Sequence, residues 1–169
     1  DYPTSLGPIV LGHNDPDVTK AVTDQISQGT VFSLSHPIEL EVAETLVKAI
    51  PCADLVRYGK NGSDVTSAAV RVSRAFTGRD IVAVCGYHGW QDWYIGTTTR
   101  DSGVPKAVTE LSHTFSYNDI ASLENLFQQH PGEIACVIME PVSIESPDDD
   151  FLQKVAELTR ANGALLIFD

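Results

Sequence analysis

The stretch Ile81-Val82-Ala83-Val84-Cys85-Gly86-Tyr87-His88-Gly89 decides the fold. A short run of apolar residues without alternation marks a strand buried on both faces, as in a parallel sheet. The glycine-flanked pair Tyr87-His88 then places an aromatic ring and an imidazole at the strand's carboxyl end. Three other runs are built alike: Ala53–Tyr58 leads into Gly59-Lys60-Asn61-Gly62-Ser63-Asp64, Ile134–Met139 into Glu140-Pro141, and Ala164–Phe168 into Asp169. As parallel strands, all four would carry their polar tips to one edge of a sheet. Open α/β folds bind ligands at that edge.

Helical patterns separate these runs. Val65, Ala68, Ala69, Val72, Ala75 and Phe76 recur at three- and four-residue steps and predict a helix over Gly62–Phe76, closed by Gly78. A short strand is expected near Thr114–Ser116 and a helix over Ile120–Gln129. A last helix starts at Pro147-Asp148-Asp149-Asp150, with an acidic first turn suited to the helix dipole, and ends at Asn162-Gly163. The alternation predicts an α/β fold: a mostly parallel, doubly wound sheet with helices on both faces. Upstream, Asn14-Asp15-Pro16 starts a helix carrying Val18, Val22 and Ile26 that stops near Gly29; Pro37–Ile50 forms another, ended by Pro51. We expect residues 1–35 to be a turn-rich segment with its helix, and residues 36–169 to belong to the sheet domain. Gly86–His113, which holds Trp90 and Trp93, has no firm period and reads as a functional loop.

The 169 residues are 43% hydrophobic and 20% charged, the balance of a globular domain. A net charge of −12 argues against a nucleic-acid partner, because phosphate binding needs a basic field. Neither a signal peptide nor a membrane-spanning run is seen. Cys52, Cys85 and Cys136 are odd in number and widely spaced, which suits small buried hydrophobes in a reducing, cytoplasmic compartment better than a metal cluster. The only methionine is Met139, so residue 1 is not a translation start and the sequence reads as a stretch of a longer polypeptide.

Asn61-Gly62-Ser63-Asp64 stands before the clearest helix. The N–H groups of a helix start can hold a phosphate, although the same residues also serve as a plain cap. The spacing is not that of a Walker loop, and no Gly-x-Gly-x-x-Gly fingerprint occurs. Tyr87 can stack on a flat ring, with His88 beside it. Glu140 and Asp169 end buried runs and need partners: Arg57, Arg74, a helix terminus or a ligand cation. A carboxylate about 4 Å from a protonated ring nitrogen gains about 4 kcal/mol at an effective dielectric constant of about 20. A phosphate cradle, a stacking ring and an acid together suit pyridoxal 5'-phosphate.

On Asp1-Tyr2-Pro3-Thr4-Ser5-Leu6-Gly7-Pro8, Asn61-Gly62-Ser63-Asp64, Arg74-Ala75-Phe76-Thr77-Gly78-Arg79-Asp80, Gly86-Tyr87-His88-Gly89, Met139-Glu140-Pro141 and Leu165-Leu166-Ile167-Phe168-Asp169, the chain resembles the class III aminotransferases. These are fold-type I pyridoxal phosphate enzymes, and the resemblance is strongest to the glutamate-1-semialdehyde aminomutase branch. It implies that Gly62 and Ser63, with Asn61 beside them, bind the cofactor's phosphate. Tyr87 would stack on the ring, next to His88; Asp169 would pair with the pyridinium nitrogen, and Glu140 would lie near the cofactor. It further implies a homodimer acting on a small-molecule amino donor and a carbonyl acceptor. The family's Schiff-base lysine comes after the aspartate. None of Lys20, Lys48, Lys60, Lys106 and Lys154 matches it, and the C-terminal small domain is also absent, so the stretch alone is expected not to transaminate. Asn61 and Asp64 are mild departures from the branch, Glu145 marks either a local slip of the alignment or an altered cofactor site, and with Leu6 and the Trp90–Ser102 loop they point to a substrate other than glutamate-1-semialdehyde. Glu145 stands where the branch places an Asn near the cofactor's phenolic oxygen. A second reading is a non-catalytic aminotransferase-like homologue or fragment serving in assembly or binding. A third, a generic nucleotide-binding module, is disfavoured by the missing glycine fingerprints.

Overall fold

The computed structural model describes Tyr2 and residues 5–169; Asp1, Pro3 and Thr4 of the N-terminal motif lie outside the described residues. The chain forms two compact units, Asp1–Arg57 and Tyr58–Asp169. In the first, α1 (Pro16–Gln28) begins where the Asp15 carboxylate accepts from the N–H groups of Asp17 and Val18, at 3.1 and 3.0 Å. Pro16 at the first helical position lacks only an N–H that would have had no partner. Gly29, at φ 103°, ends the helix. Helix α2 (Pro37–Ala49) starts in the same way, with Pro37 first and His36 Nδ1 accepting from the Ile38 N–H at 3.3 Å.

The second unit opens with α3 (Gly62–Thr77), capped by Asn61 Oδ1, which accepts from the Asp64 N–H at 3.0 Å, and closed by Gly78 in the left-handed region. Then follow β1 (Ile81–Cys85), α4 (Asp92–Ile95), α5 (Lys106–Thr109), β2 (Ser112–Thr114), α6 (Ile120–Gln129), β3 (Ile134–Met139), α7 (Phe151–Ala161) and β4 (Leu165–Phe168). The sheet order is β2-β1-β3-β4 and every pairing is parallel, with Ala83 opposite Val137 and His113, and Val137 opposite Leu166.

Side chains alternate across the pleat. Ala83, Cys85, Val137 and Met139 pack in one cluster with Leu123 and Phe127 of α6 and Phe151 and Val155 of α7. Val82, Val84, Cys136 and Ile138 pack in another with Val70 of α3 and Trp93 and Tyr94 of α4. With helices on both faces, β1 and β3 are buried throughout. Each fully buried branched side chain contributes about 1.5–3 kcal/mol relative to exposure, which explains the unbroken apolar runs. The expected doubly wound α/β architecture is the one observed.

Several elements differ from expectation. Ala53–Tyr58 forms no strand: no ladder partner pairs with it among the described residues, and Leu55 is 92% exposed. Strand β2 starts at Ser112 rather than near Thr114, and two four-residue helices interrupt the Gly86–His113 segment. Asp148 and Asp149 precede α7, Asp150 is its N-cap, and no acid occupies its first turn. The Asp150 carboxylate instead meets Lys154 Nζ at 2.8 Å. Cys85 and Cys136 are buried as expected, but Cys52 is exposed. No helix among the described residues is long and apolar enough to cross a membrane.

Candidate active site

The carboxyl ends of β1 and β4 meet the N-terminus of α3. Asn61, Gly62, Ser63, Tyr87, His88, Gly89, Trp90 and Asp169 line one hollow there, of about 370 Å³. That is within the range of small-molecule sites. Helix α3 is tied to the β1 tip by two hydrogen bonds. Thr66 Oγ1 donates to the His88 carbonyl at 3.0 Å, and the Trp90 N–H donates to Ser63 Oγ at 3.3 Å. Gly89 makes this approach possible: its φ is 104°, and a Cβ there would run into the Ser63 side chain. The first tip predicted from sequence therefore reaches the edge on a docked helix, not on a strand.

Charge and hydrogen-bonding capacity are unevenly used around the hollow. The Asn61 cap takes up the Asp64 N–H, while the Gly62 and Ser63 N–H groups have no partner among the described residues. They point from the positive end of a sixteen-residue helix. Asp169 Oδ2 lies 2.8 Å from His88 Nδ1, and His88 Nε2 lies 3.0 Å from the Cys85 carbonyl oxygen. A carbonyl only accepts, so Nε2 carries a hydrogen, and a further hydrogen must bridge Nδ1 and the Asp169 carboxyl. The His88 side chain is fully buried, whereas that of Asp169 is 31% exposed. The partner of Asp169 is thus His88 rather than Arg57 or Arg74; Arg74 Nε donates to the Asp80 carbonyl at 2.8 Å.

Tyr87 is 65% exposed and touches Tyr94 edge-on, with ring centroids 5.5 Å apart. Its ring is open to a stacking partner. Tyr94 itself is held as a neutral phenol: burial raises its pKa, and the neighbouring Tyr87 and Glu140 add to this. Glu140 does not line the hollow. Its Oε2 accepts from the Tyr87 N–H and the Ser143 hydroxyl, both at 3.3 Å, so its partner too is not an arginine. Gly86 leaves room for this carboxylate, because a Cβ would lie 2.5 Å from Glu140 Oε2. Burial, with a smaller contribution from Glu140, pushes the Cys85 thiol up to about 11, which leaves it protonated and unreactive. Glu145 is exposed on the segment before α7 and away from the hollow's lining; its charge helps to raise the pKa of Tyr117, after burial and Cys85.

Sequence reasoning overlooked Thr66 and Ser67. Their hydroxyls bond to His88 and Trp93, and the only local signal was two polar residues in the first turns of an otherwise apolar-striped helix.

The sequence profile of the family Aminotransferase class-III matches residues 1–169. The chain belongs to the class-III aminotransferase family. A curated relative, glutamate-1-semialdehyde 2,1-aminomutase of Methanothermobacter thermautotrophicus, is 37% identical over 182 residues, covering 100% of this chain and 43% of its own. An omega-transaminase from Sphaerobacter thermophilus superposes with a TM-score of 0.90 at 32% identity, over 100% of this chain and 43% of its own. A transaminase described with PLP bound superposes with a TM-score of 0.87 at 27% identity, over 94% of this chain and 41% of its own. This class-III aminotransferase chain therefore spans less than half the length of the relatives it matches.

Proposed function

We propose that this chain is the pyridoxal 5'-phosphate-binding part of an enzyme that moves an amino group between a small-molecule amine and a carbonyl compound, or within one molecule. The observation that carries the reading is the convergence of unpartnered helix N–H groups, an open tyrosine ring and a histidine-held carboxylate on one hollow. Family membership and PLP-bound relatives of the same fold support it.

The residues fit the group. The Gly62 and Ser63 N–H groups and the Ser63 hydroxyl suit a phosphate, at the positive end of α3 and beside the Asn61 cap. Tyr87 offers an exposed aromatic face to a flat ring. Asp169 is the one carboxylate among the described residues of the lining and would hold a proton at the ring nitrogen. His88 fixes that carboxylate from the buried side, and Glu140 fixes the Tyr87 backbone. When bound, the cofactor supplies an electron-accepting ring whose strength depends on that proton. In this reading the Schiff-base lysine lies outside residues 1–169, the enzyme is a cytoplasmic homodimer, and its substrates are a small amine and a carbonyl compound.

The test uses the full-length protein with pyridoxal 5'-phosphate. A visible absorbance band that borohydride abolishes is expected. A full-length protein that shows no such band across neutral pH is not an enzyme of this kind.

A further inference from the structure

We infer that Ser67 and Trp93 form a positioning brace that orients Asp169 through His88, so that its carboxylate meets the cofactor's ring nitrogen in one fixed direction. The inference rests on the reading of the hollow as a pyridoxal 5'-phosphate site.

Trp93 is buried on α4, and its indole N–H donates to Ser67 Oγ at 2.9 Å. An indole has a single donor, so this bond fixes the rotation of the ring and not merely its burial. The indole plane lies within 16° of the His88 imidazole, with centroids 6.3 Å apart. Tyr94, from the same turn, sets its ring 76° to the imidazole at 5.5 Å. Trp93 and Tyr94 also pack on each other, at 5.9 Å and 64°. The imidazole is thus held by Trp93 and Tyr94, and at Nε2 by the Cys85 carbonyl. Its remaining polar atom, Nδ1, meets Asp169 Oδ2 at 2.8 Å.

Packing alone would not ask for this arrangement. A phenylalanine would fill much of the same apolar space without a donor. The acceptor, moreover, sits on α3, the helix whose first residues form the phosphate cradle. Ser67 follows Ser63 by about one turn. One helix therefore sets both the place of the anion and, by way of Trp93 and His88, the aim of the acid. Hydrogen bonds weaken steeply with misalignment, so a loosened imidazole would weaken the Asp169 interaction without unfolding the site.

The experiment compares two ligands on the full-length protein. Pyridoxamine 5'-phosphate carries the ring nitrogen and cannot bond covalently to a lysine; its 1-deaza analogue has carbon at that position. Ser67→Ala and Trp93→Phe are expected to weaken pyridoxamine 5'-phosphate binding about threefold to tenfold and to change binding of the deaza analogue by less than about twofold. Ser67→Thr, which keeps a hydroxyl, is expected to restore the parent affinity. Equal losses for both ligands, or no loss for either, overturn the brace. If Trp93→Phe unfolds the chain, the two Ser67 variants carry the test. A parent protein that binds neither ligand overturns the reading of the site itself, and the brace with it.

Discussion

The sheet has two rims, and each carries a hollow of nearly the same size. At the carboxyl ends of the strands it is about 370 Å³, and at the amino ends, lined by Arg79, Asp80, Leu111, Gly132 and Glu133 among others, about 360 Å³. The difference lies in what their polar groups are doing. At the amino rim, Arg79 Nη1 donates to the carbonyls of Ile134 and Asn162 at 3.1 and 2.8 Å, so the guanidinium fastens the start of β3 and the C-cap of α7 to the end of α3. Glu133 Oε2 faces His130 Nδ1 at 3.5 Å. At the carboxyl rim, the first N–H groups of α3 are left over and the outer side of Asp169 is open. Volume does not separate a site from a surface dimple here. Hydrogen-bonding capacity that the chain itself does not consume does.

The largest expected effect comes from breaking the carboxyl rim at its acid. Asp169→Asn keeps an acceptor for His88 but loses the charge opposite the ring nitrogen. An interaction of about 4 kcal/mol at an effective dielectric constant of about 20 corresponds to at most about a thousandfold in rate. We expect amino transfer by the full-length enzyme to fall about 100- to 1,000-fold, with the thermal midpoint nearly unchanged. Parallel losses of stability and activity would put Asp169 on the same footing as Arg79.

Glycine pairs sharpen the comparison. Gly89 has φ 104° and no room for a Cβ beside Ser63; Gly132, at the other rim, has φ 74° and open space. Gly132→Ala carries only the left-handed backbone cost, about 1–2 kcal/mol. Gly89→Ala adds a collision with the phosphate cradle. Its expected signature is a loss of cofactor affinity of about tenfold or more on top of about 1–3 kcal/mol of stability. Equal cofactor affinity in the two variants would remove the argument that Gly89 exists to let Ser63 approach.

Much of this was legible in the sequence, because burial on both faces writes itself as unbroken apolar runs. Ile81–Cys85 and Ile134–Met139 could hardly be anything but central strands. Ala53–Tyr58, expected as a fourth such run, carries Asp54 and Arg57 and is not a strand: charges interrupt its apolar pattern, and a ladder also needs a neighbour, which is a non-local fact. The same limit applied to the site. Asn61, Gly62, Ser63, Tyr87, His88 and Asp169 were found by their places at the ends of runs, and they do share a hollow. The partner of Asp169, however, lies 81 residues upstream, and nothing local distinguishes a histidine from an arginine for that place. Helix α4 is too short to show a period, so the aromatic wall it supplies stayed inside an apparent loop. Asp148, Asp149 and Asp150 announced a helix start correctly, but its first turn begins one residue after them.

Arg79→Met tests the amino rim in the opposite sense to Asp169→Asn. Hydrogen bonds to a charged group contribute about 1.5–3 kcal/mol, and removing the guanidinium leaves the Ile134 carbonyl at the start of β3 and the Asn162 carbonyl at the end of α7 without this donor. We expect a stability loss of about 2 kcal/mol by urea denaturation, with pyridoxal 5'-phosphate affinity within about twofold of the parent. Weakened cofactor binding without a stability change would mean that the two rims are not independent.

The smallest effect concerns protons near the amino rim. His113 of β2 stacks on His130 at the end of α6, with centroids 4.4 Å apart, and its Nε2 is buried without a partner among the described residues. Burial lowers its pKa; the charge of His130 lowers it further, and a backbone hydrogen bond at Glu110 works the other way. The folded chain therefore binds fewer protons at His113 than the unfolded chain does below about pH 6.5. The corresponding stability is full above that value and is lost as pH falls through it towards the lowered folded value. His113→Phe keeps a stacking ring and removes the proton site. The variant's urea midpoint should fall less than the parent's between pH 7.5 and 5.5, while cofactor affinity at pH 7.5 stays the same. An identical pH slope in parent and variant would assign the acid sensitivity to groups other than His113.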